Sequence, residues 1–338
     1  MFDWKNKKIM VTGGAGFIGS TLVKRLVKGG ANVRVIDNLW RGNRDNLMGE
    51  DGNYVIDMQN NFHEADLTDN AVCEEFIRDV ELVYHLADIV GGVQFVFSNE
   101  AFVFRQNLLI NTNVLAACLV NEIPDYIYVG TACSYPKHLQ MAEGVAQLRE
   151  DQTYPAEPES SYGWSKLMGE YEAELAQRSG KINVGLLRFH NVYGPGSVFE
   201  GSIAQALPSL IRKAVNHPTE PFIVWGSGTQ YRDFVYIDDI INALVSVAGK
   251  GMNKGLIQIG SEKAVTLKEA AETVIKISDK QIELKFDLSK PEGDRGRIGI
   301  CDRAREILGW EQTVDFESGL RNTYQWIEQQ MKKNAVTQ

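Results

Sequence analysis

Cysteine is scarce in this chain. Four occur among 338 residues, Cys73, Cys118, Cys133 and Cys301, and no pair has a C-x-x-C spacing. Gaps this long and irregular exclude a structural zinc ribbon and a small disulfide scaffold, and predict reduced thiols and no metal centre. Positive charge is not in excess either: 35 Lys and Arg stand against 44 Asp and Glu, a formal net charge of −9. That balance argues against a nucleic-acid or anionic-membrane partner. Apolar runs such as Val114 to Val120 are short, well under the ~20 residues of a membrane span. Met1 to Lys8 holds charges and no apolar segment, so no leader is expected and a cytoplasmic location is. Internal repeats are absent.

What is present is ordinary globular composition, 44% hydrophobic and 23% charged, in a length that at ~150 residues per domain suggests two domains. Lys8 to Thr12 reads as a buried strand, followed by a helix from Ser20 to Lys28 with Leu22, Val23, Leu26 and Val27 at helical spacing. Strands at Asn32–Ile36, Leu82–Leu86 and Tyr126–Val129, with a helix over Gln106–Val120, continue the alternation. Strand and helix repeated this way predict an α/β fold with a doubly wound parallel sheet. After Asn191 the pattern changes: Gly194-Pro195-Gly196 breaks the chain, and helices at Ile203–Ala214, Asp238–Ala248, Leu267–Ile277, Arg303–Leu308 and Phe316–Lys333 surround a strand-like Pro221–Trp225. The expected division is a larger domain with the parallel sheet over 1–190, with 233–260 interleaved, and a smaller lobe over 191–232 and 261–338. The loop from Glu143 to Glu159 has the length of a lid or substrate-binding insert.

Gly13, Gly16 and Gly19 form G-x-x-G-x-x-G directly after the first strand, with Phe17 and Ile18 opening the helix. Glycines there let the backbone turn tightly and approach a pyrophosphate lying on the positive end of the helix dipole. Asp37, at the end of the second strand and followed by Asn38, can accept both ribose hydroxyls and repel a 2′-phosphate, which favours NAD over NADP. Arg34, Arg41 and Arg44 lie nearby.

Of the twelve tyrosines, one has a lysine four residues on, Tyr162 with Lys166. That spacing is one helical turn, and an ammonium beside a phenol lowers the tyrosine pKa towards that of a usable base. Thr131 follows the strand Tyr126–Val129, at the carboxyl end of the sheet where such folds bind substrate, so its hydroxyl can share the moving proton.

The glycine loop, Thr131, Tyr162-x-x-x-Lys166 and the chain length together resemble the extended short-chain dehydrogenase/reductase family, from Lys8 to about Gln330. The resemblance implies a Rossmann-like sheet with a smaller C-terminal α/β substrate-binding lobe, NAD as cofactor, and a nucleotide diphosphate sugar as substrate. It implies Asp66 and Leu67 beside the adenine; His85, Leu86 and Ala87 along the cofactor cleft; and Asn191 and Arg232 on the sugar nucleotide. Relatives pair through a four-helix bundle, which implies a homodimer.

Within the family, four segments are similar to those of GDP-mannose 3,5-epimerases: Gly91-Gly92-Val93-Gln94-Phe95, Thr131 to Pro136, Tyr154 to Pro158 and Pro291 to Arg297. This favours a GDP-hexose and adds Gly92, Val93, Lys213 and Arg297 to the substrate set, with Arg297 and Arg232 as pyrophosphate partners. The Cys-x-Tyr-Pro piece is shared with GDP-fucose synthases, and implies Cys133 as an acid/base. A C4 ketone acidifies the hydrogens at C3 and C5, and a tuned thiol can move them. Inversion needs a second group on the opposite face, a lysine or histidine in those enzymes. Gln205 stands there, so either His190 or Lys137 substitutes or C3 and C5 are not inverted. The 4,6-dehydratases carry an Asp-Glu pair where Ala132-Cys133 stands, which disfavours that reading. A 4-epimerase, needing Thr131, Tyr162, Lys166 and NAD, is the main alternative. A non-catalytic nucleotide-binding regulator is another.

Overall fold

The computed structural model describes residues 3–140, 144–201, 203–290 and 295–337. Pro291 to Asp294 and Glu143, parts of two segments singled out above, lie outside the described residues. Strands run over Lys8–Thr12 (β1), Asn32–Asp37 (β2), Phe62–Glu64 (β3), Leu82–His85 (β4), Asp125–Thr131 (β5), Ala146–Leu148 (β6) and Asn183–Phe189 (β7). They continue at Asn191–Tyr193 (β8), Ile223–Trp225 (β9), Tyr231–Tyr236 (β10), Leu256–Ile259 (β11), Ala264–Thr266 (β12), Lys285–Asp287 (β13) and Arg297–Gly299 (β14). The α-helices are Phe17–Lys28 (α1), Asn70–Phe76 (α2), Val93–Ser98 (α3), Glu100–Val120 (α4), Ser161–Arg178 (α5), Ala206–Asn216 (α6), Ile237–Ser246 (α7), Leu267–Ser278 (α8) and Phe316–Thr337 (α9).

Seven strands form one parallel sheet in the order β11-β7-β5-β4-β1-β2-β3. The order reverses direction at β1, where such sheets open a ligand crevice. Alternation along the strands feeds two apolar layers. Ile9 and Val11 pack with Leu22 and Leu26 of α1 and with α7, whereas Met10, Val83 and Tyr126 pack with α2, α4 and α5. The first layer runs on into the C-terminal lobe through Leu207, Ile211, Val224, Val274 and Leu320. In that lobe β10 pairs parallel with β8 and antiparallel with β12, which sets Asn191 and Arg232 in one small sheet.

Several elements differ from the periodicity reading. The described part of the segment expected to be a lid or substrate-binding insert holds regular structure: β6 pairs with β14, and a short 3-10 turn spans Glu150–Thr153. Short β3, β6 and α2 have too few residues to declare a period, and β7 is an apolar run that length alone did not separate from its neighbours. Asp238–Ala248 splits into α7 and a π segment at Val247–Gly251, and Ala304–Leu308 is also π-helical. Helix α4 begins six residues before the expected Gln106 and is, among the described residues, the one helix long and apolar enough to cross a membrane by length and composition. Its buried side carries Asn107 and Asn111, both hydrogen-bonded to neighbouring elements, as suits a helix packed beneath a sheet.

Candidate active site

The carboxyl ends of β1, β2, β4 and β5 open into a cleft of about 810 Å3 whose far wall is made by β8, β10 and α6. Gly13, Gly16, Phe17, Ile18 and Gly19 form its floor, with Asp37, Asn38, Asp66, Leu67, Leu86 and Ala87 along one side. Thr131, Cys133, Tyr162 and Lys166 lie centrally, and Gly92, Val93, Asn191, Gln205, Lys213, Arg232 and Arg297 surround the other end. His85 does not join them.

The floor has the shape a pyrophosphate requires. Gly13 adopts φ +68°, and a Cβ on it would lie 2.8 Å from the Ala87 backbone; one on Gly19 would lie 2.1 Å from the Gly13 carbonyl oxygen. Helix α1 starts at Gly16 without a side-chain cap, so its first N–H groups face the cleft undivided. Asp37 is buried at the end of β2, its Oδ2 accepting from Ala15 N at 3.0 Å and Oδ1 from Leu39 N at 2.8 Å. Burial raises its pKa, and the Leu39, Ala15 and Gly16 amides oppose that. A carboxylate has about four lone-pair sites, so acceptor capacity remains for ribose hydroxyls. These residues fit NAD.

Behind that wall runs a chain of buried hydrogen bonds. Thr12 Oγ1 accepts from Leu86 N and Ala87 N and lies 2.8 Å from His85 Nδ1, and His85 Nε2 lies 3.0 Å from Asn111 Oδ1. Asn111 Nδ2 then donates to the Ser165 carbonyl in α5. Burial, then the Lys166 charge, push the His85 pKa down to about 3, so the ring is neutral. His85 therefore braces β1, β4, α4 and α5 rather than lining the cleft.

Helix α5 is seated by close approach. A Cβ on Gly163 would lie 2.2 Å from the Cys133 carbonyl oxygen, so only glycine lets the Thr131–Tyr135 turn rest on the helix start, beside Tyr162. Ser160 caps the helix, accepting from Gly163 N at 3.2 Å. Arg188 of β7, fully buried, ion-pairs with Glu170 of α5, donates to Thr153 Oγ1 at 3.0 Å, and stacks 4.2 Å over the Tyr135 ring. Tyr135 in turn donates to Gln258 Oε1 at 2.9 Å.

The central group differs from the spacing-based expectation. Tyr162 Oη donates to Asp88 Oδ2 at 2.9 Å, and Lys166 Nζ lies 3.7 Å from the same oxygen and 4.7 Å from the Tyr128 ring centre. Burial, then the Asp88 charge, hold the Tyr162 pKa well above the ordinary phenol value, and burial lowers that of Lys166. The expected lowering of Tyr162 by Lys166 is thus outweighed. Asp88 was missed because no spacing marks it, although a carboxylate just past a parallel strand's carboxyl end is a position worth weighing. Gln140, also in the cleft wall, was missed likewise, and Arg41, noted only as lying near Asp37, is in that wall too.

At the other end, Arg297 Nη2 donates to Cys133 Sγ at 3.3 Å and Nη1 to Gln140 Oε1. Its guanidinium is directed at the thiol from the cleft wall. Thr131 Oγ1 accepts from Cys133 N at 3.3 Å, which leaves its O–H to donate. Lys213 Nζ donates to the Ile223 carbonyl at 2.7 Å, and Arg232 Nη1 to its neighbour Tyr231. Of the two suggested substitutes for the missing acid, Lys137 pairs with Glu157 at 3.1 Å outside the cleft wall. The His190 side chain has no exposure and turns to Gln258 and Asp233. Gln205 caps α6 by position, with no capping hydrogen bond from its side chain.

Residues 9–260 match the NAD dependent epimerase/dehydratase family. The chain belongs to that family. Among relatives of this epimerase/dehydratase chain, GDP-mannose 3,5-epimerase 1 of Oryza sativa subsp. indica is 32% identical over 335 residues, 98% of this chain and 85% of the relative. A UDP-glucose 4-epimerase from Thermotoga maritima, solved with UDP-glucose, superposes with TM-score 0.85 at 27% identity, covering 96% of this chain and 99% of that one. A UDP-glucose 4-epimerase from Thermus thermophilus, solved with NAD, gives TM-score 0.81 at 25% identity, covering 95% and 98%. The chain is an NAD-dependent enzyme of the nucleotide-sugar epimerase/dehydratase class, and its cofactor is NAD.

Proposed function

We propose that this enzyme epimerises a nucleotide diphosphate hexose, a GDP-hexose by preference, through transient oxidation at C4, in the manner of a GDP-mannose 3,5-epimerase. NAD held by the glycine loop and Asp37 supplies the two-electron acceptor for C4. Tyr162 takes the C4 hydroxyl proton and gives it back, Thr131 donates to the same oxygen, and Lys166 supplies positive charge beside the phenol. The observation carrying the 3,5 reading is Cys133: its sulfur is in the cleft, two residues from Thr131, with an Arg297 N–H donor at 3.3 Å for charge developing on it. Buried cysteines elsewhere have no such role; burial pushes Cys73 up to about 12, and Cys118 and Cys301 higher still.

Gln205 favours the second reading, a 4-epimerase, because a carboxamide exchanges no proton usefully at neutral pH. Incubation with GDP-mannose and a panel of UDP-, GDP- and dTDP-hexoses in heavy water separates the two. Solvent deuterium at C3 or C5 of the recovered sugar supports 3,5-epimerisation; C4 inversion without deuterium gain establishes the 4-epimerase. A homodimer is part of the proposal, supported by Phe102 and Leu109 of α4 and Trp164, Tyr171 and Leu175 of α5, large apolar side chains left exposed.

A further inference from the structure

The Tyr162–Lys166 pair is not alone in this cleft. Asp88, three residues past the end of β4, accepts the Tyr162 hydroxyl hydrogen at 2.9 Å and sits 3.7 Å from the Lys166 ammonium. Its side chain is 18% exposed and that of Lys166 is 3%, so the three groups meet in a poorly hydrated place where charges act strongly. The other ionisable groups facing this triad come from every neighbouring element. Arg41, in the loop after β2, acts on both Asp88 and Tyr162; Tyr128 of β5 feels Asp88; Cys133, past β5, acts on Tyr162; Glu170 of α5 and His85 of β4 act with Lys166.

We propose that Asp88 is a positioning residue for Tyr162: its carboxylate accepts a hydrogen bond from the phenol and so keeps on Tyr162 the proton that Tyr162 has taken until it is returned. The proposal rests on the reading of Tyr162 as the proton acceptor. During oxidation the C4 hydroxyl proton forms a bond to Tyr162 Oη as its bond to the sugar oxygen breaks. The resulting O–H then points at Asp88 Oδ2, no proton leaves Tyr162, and the reverse step restores the alcohol. A carboxylate in that position favours the protonated phenol over the phenolate. The enzyme therefore keeps the proton well during the ketone stage and needs a higher pH to prepare Tyr162 as a base than Tyr162 and Lys166 alone would need.

The test uses NAD-loaded protein. The near-ultraviolet phenolate band is followed against pH and the same titration of Tyr162→Phe is subtracted, which leaves the Tyr162 step. Asp88→Asn keeps the shape and removes the charge, and is expected to move that step down by about one pH unit or more. Asp88→Ser, smaller and also uncharged, moves it the same way. A step that stays in place or rises in both variants overturns the proposal. Since the titration needs no sugar, a shifted step with no turnover of any nucleotide sugar refutes the functional reading and leaves the Asp88 contact standing. With a working substrate, the acid limb of kcat moves down with the step, whereas a merely structural role lowers kcat without moving the limb.

Discussion

On the cofactor side of the cleft the groups turned inward are largely backbone: the uncapped N–H groups of α1, the Gly13 turn and the amides that orient Asp37. On the substrate side they are side chains already engaged with one another, Arg297 with Cys133 and Gln140, Lys213 with the Ile223 carbonyl, and Asp88 with Tyr162 and Lys166. The first wall is built mostly from backbone turns at the ends of β1 and β2, packed against Leu86 and Ala87. The second depends on which distant segments the fold brings together, since Arg297 reaches Cys133 across 164 positions of chain.

The sharpest way to separate the walls is Tyr162→Phe. With Tyr162 as the proposed proton acceptor, its removal is expected to lower kcat by about 10²–10⁴-fold, measured by turnover of the preferred sugar nucleotide, while NAD affinity stays near that of the parent chain. A comparable loss of NAD binding would mean that the two walls are not separable. Next comes the brace beneath the catalytic turn. Glu170→Gln leaves the fully buried Arg188 without its counter-charge, at a cost of about 3–5 kcal/mol, read as a lowered denaturation midpoint. Because Arg188 also stacks on Tyr135, the turn bearing Cys133 loosens, and the substrate wall is the part expected to suffer first. Asp88→Asn has the smallest effect of the three, a displaced pH profile with the fold intact.

The same contrast explains what could be read without coordinates. The glycine loop, Asp37 and the Tyr162–Lys166 spacing are legible because local geometry demands those residues at those intervals. Strands β1, β2 and β4 and helices such as α1 and α8 are legible from period, whereas the longer β7 is not, and β3, β6 and α2 are short and depend on their partners. Asp88 was not legible, since its meaning comes from Tyr162, 74 residues later in the chain. The expected lowering of the Tyr162 pKa is overridden first by burial and then by the Asp88 carboxylate just past β4, neither of which helix spacing reveals. The family resemblance implies His85 along the cofactor cleft, but the ring faces inward, where Thr12 and Asn111 satisfy both ring nitrogens.

Internal oxidation at C4 is the claim on which the account stands, and a sugar nucleotide carrying deuterium at C4 tests it most directly. With the preferred substrate in ordinary water, the account predicts that the recovered, epimerised sugar still carries its deuterium at C4, because the hydrogen leaves for the bound cofactor and comes back. Loss of that label to solvent during turnover, or epimerisation with full rate in Tyr162→Phe, would contradict it.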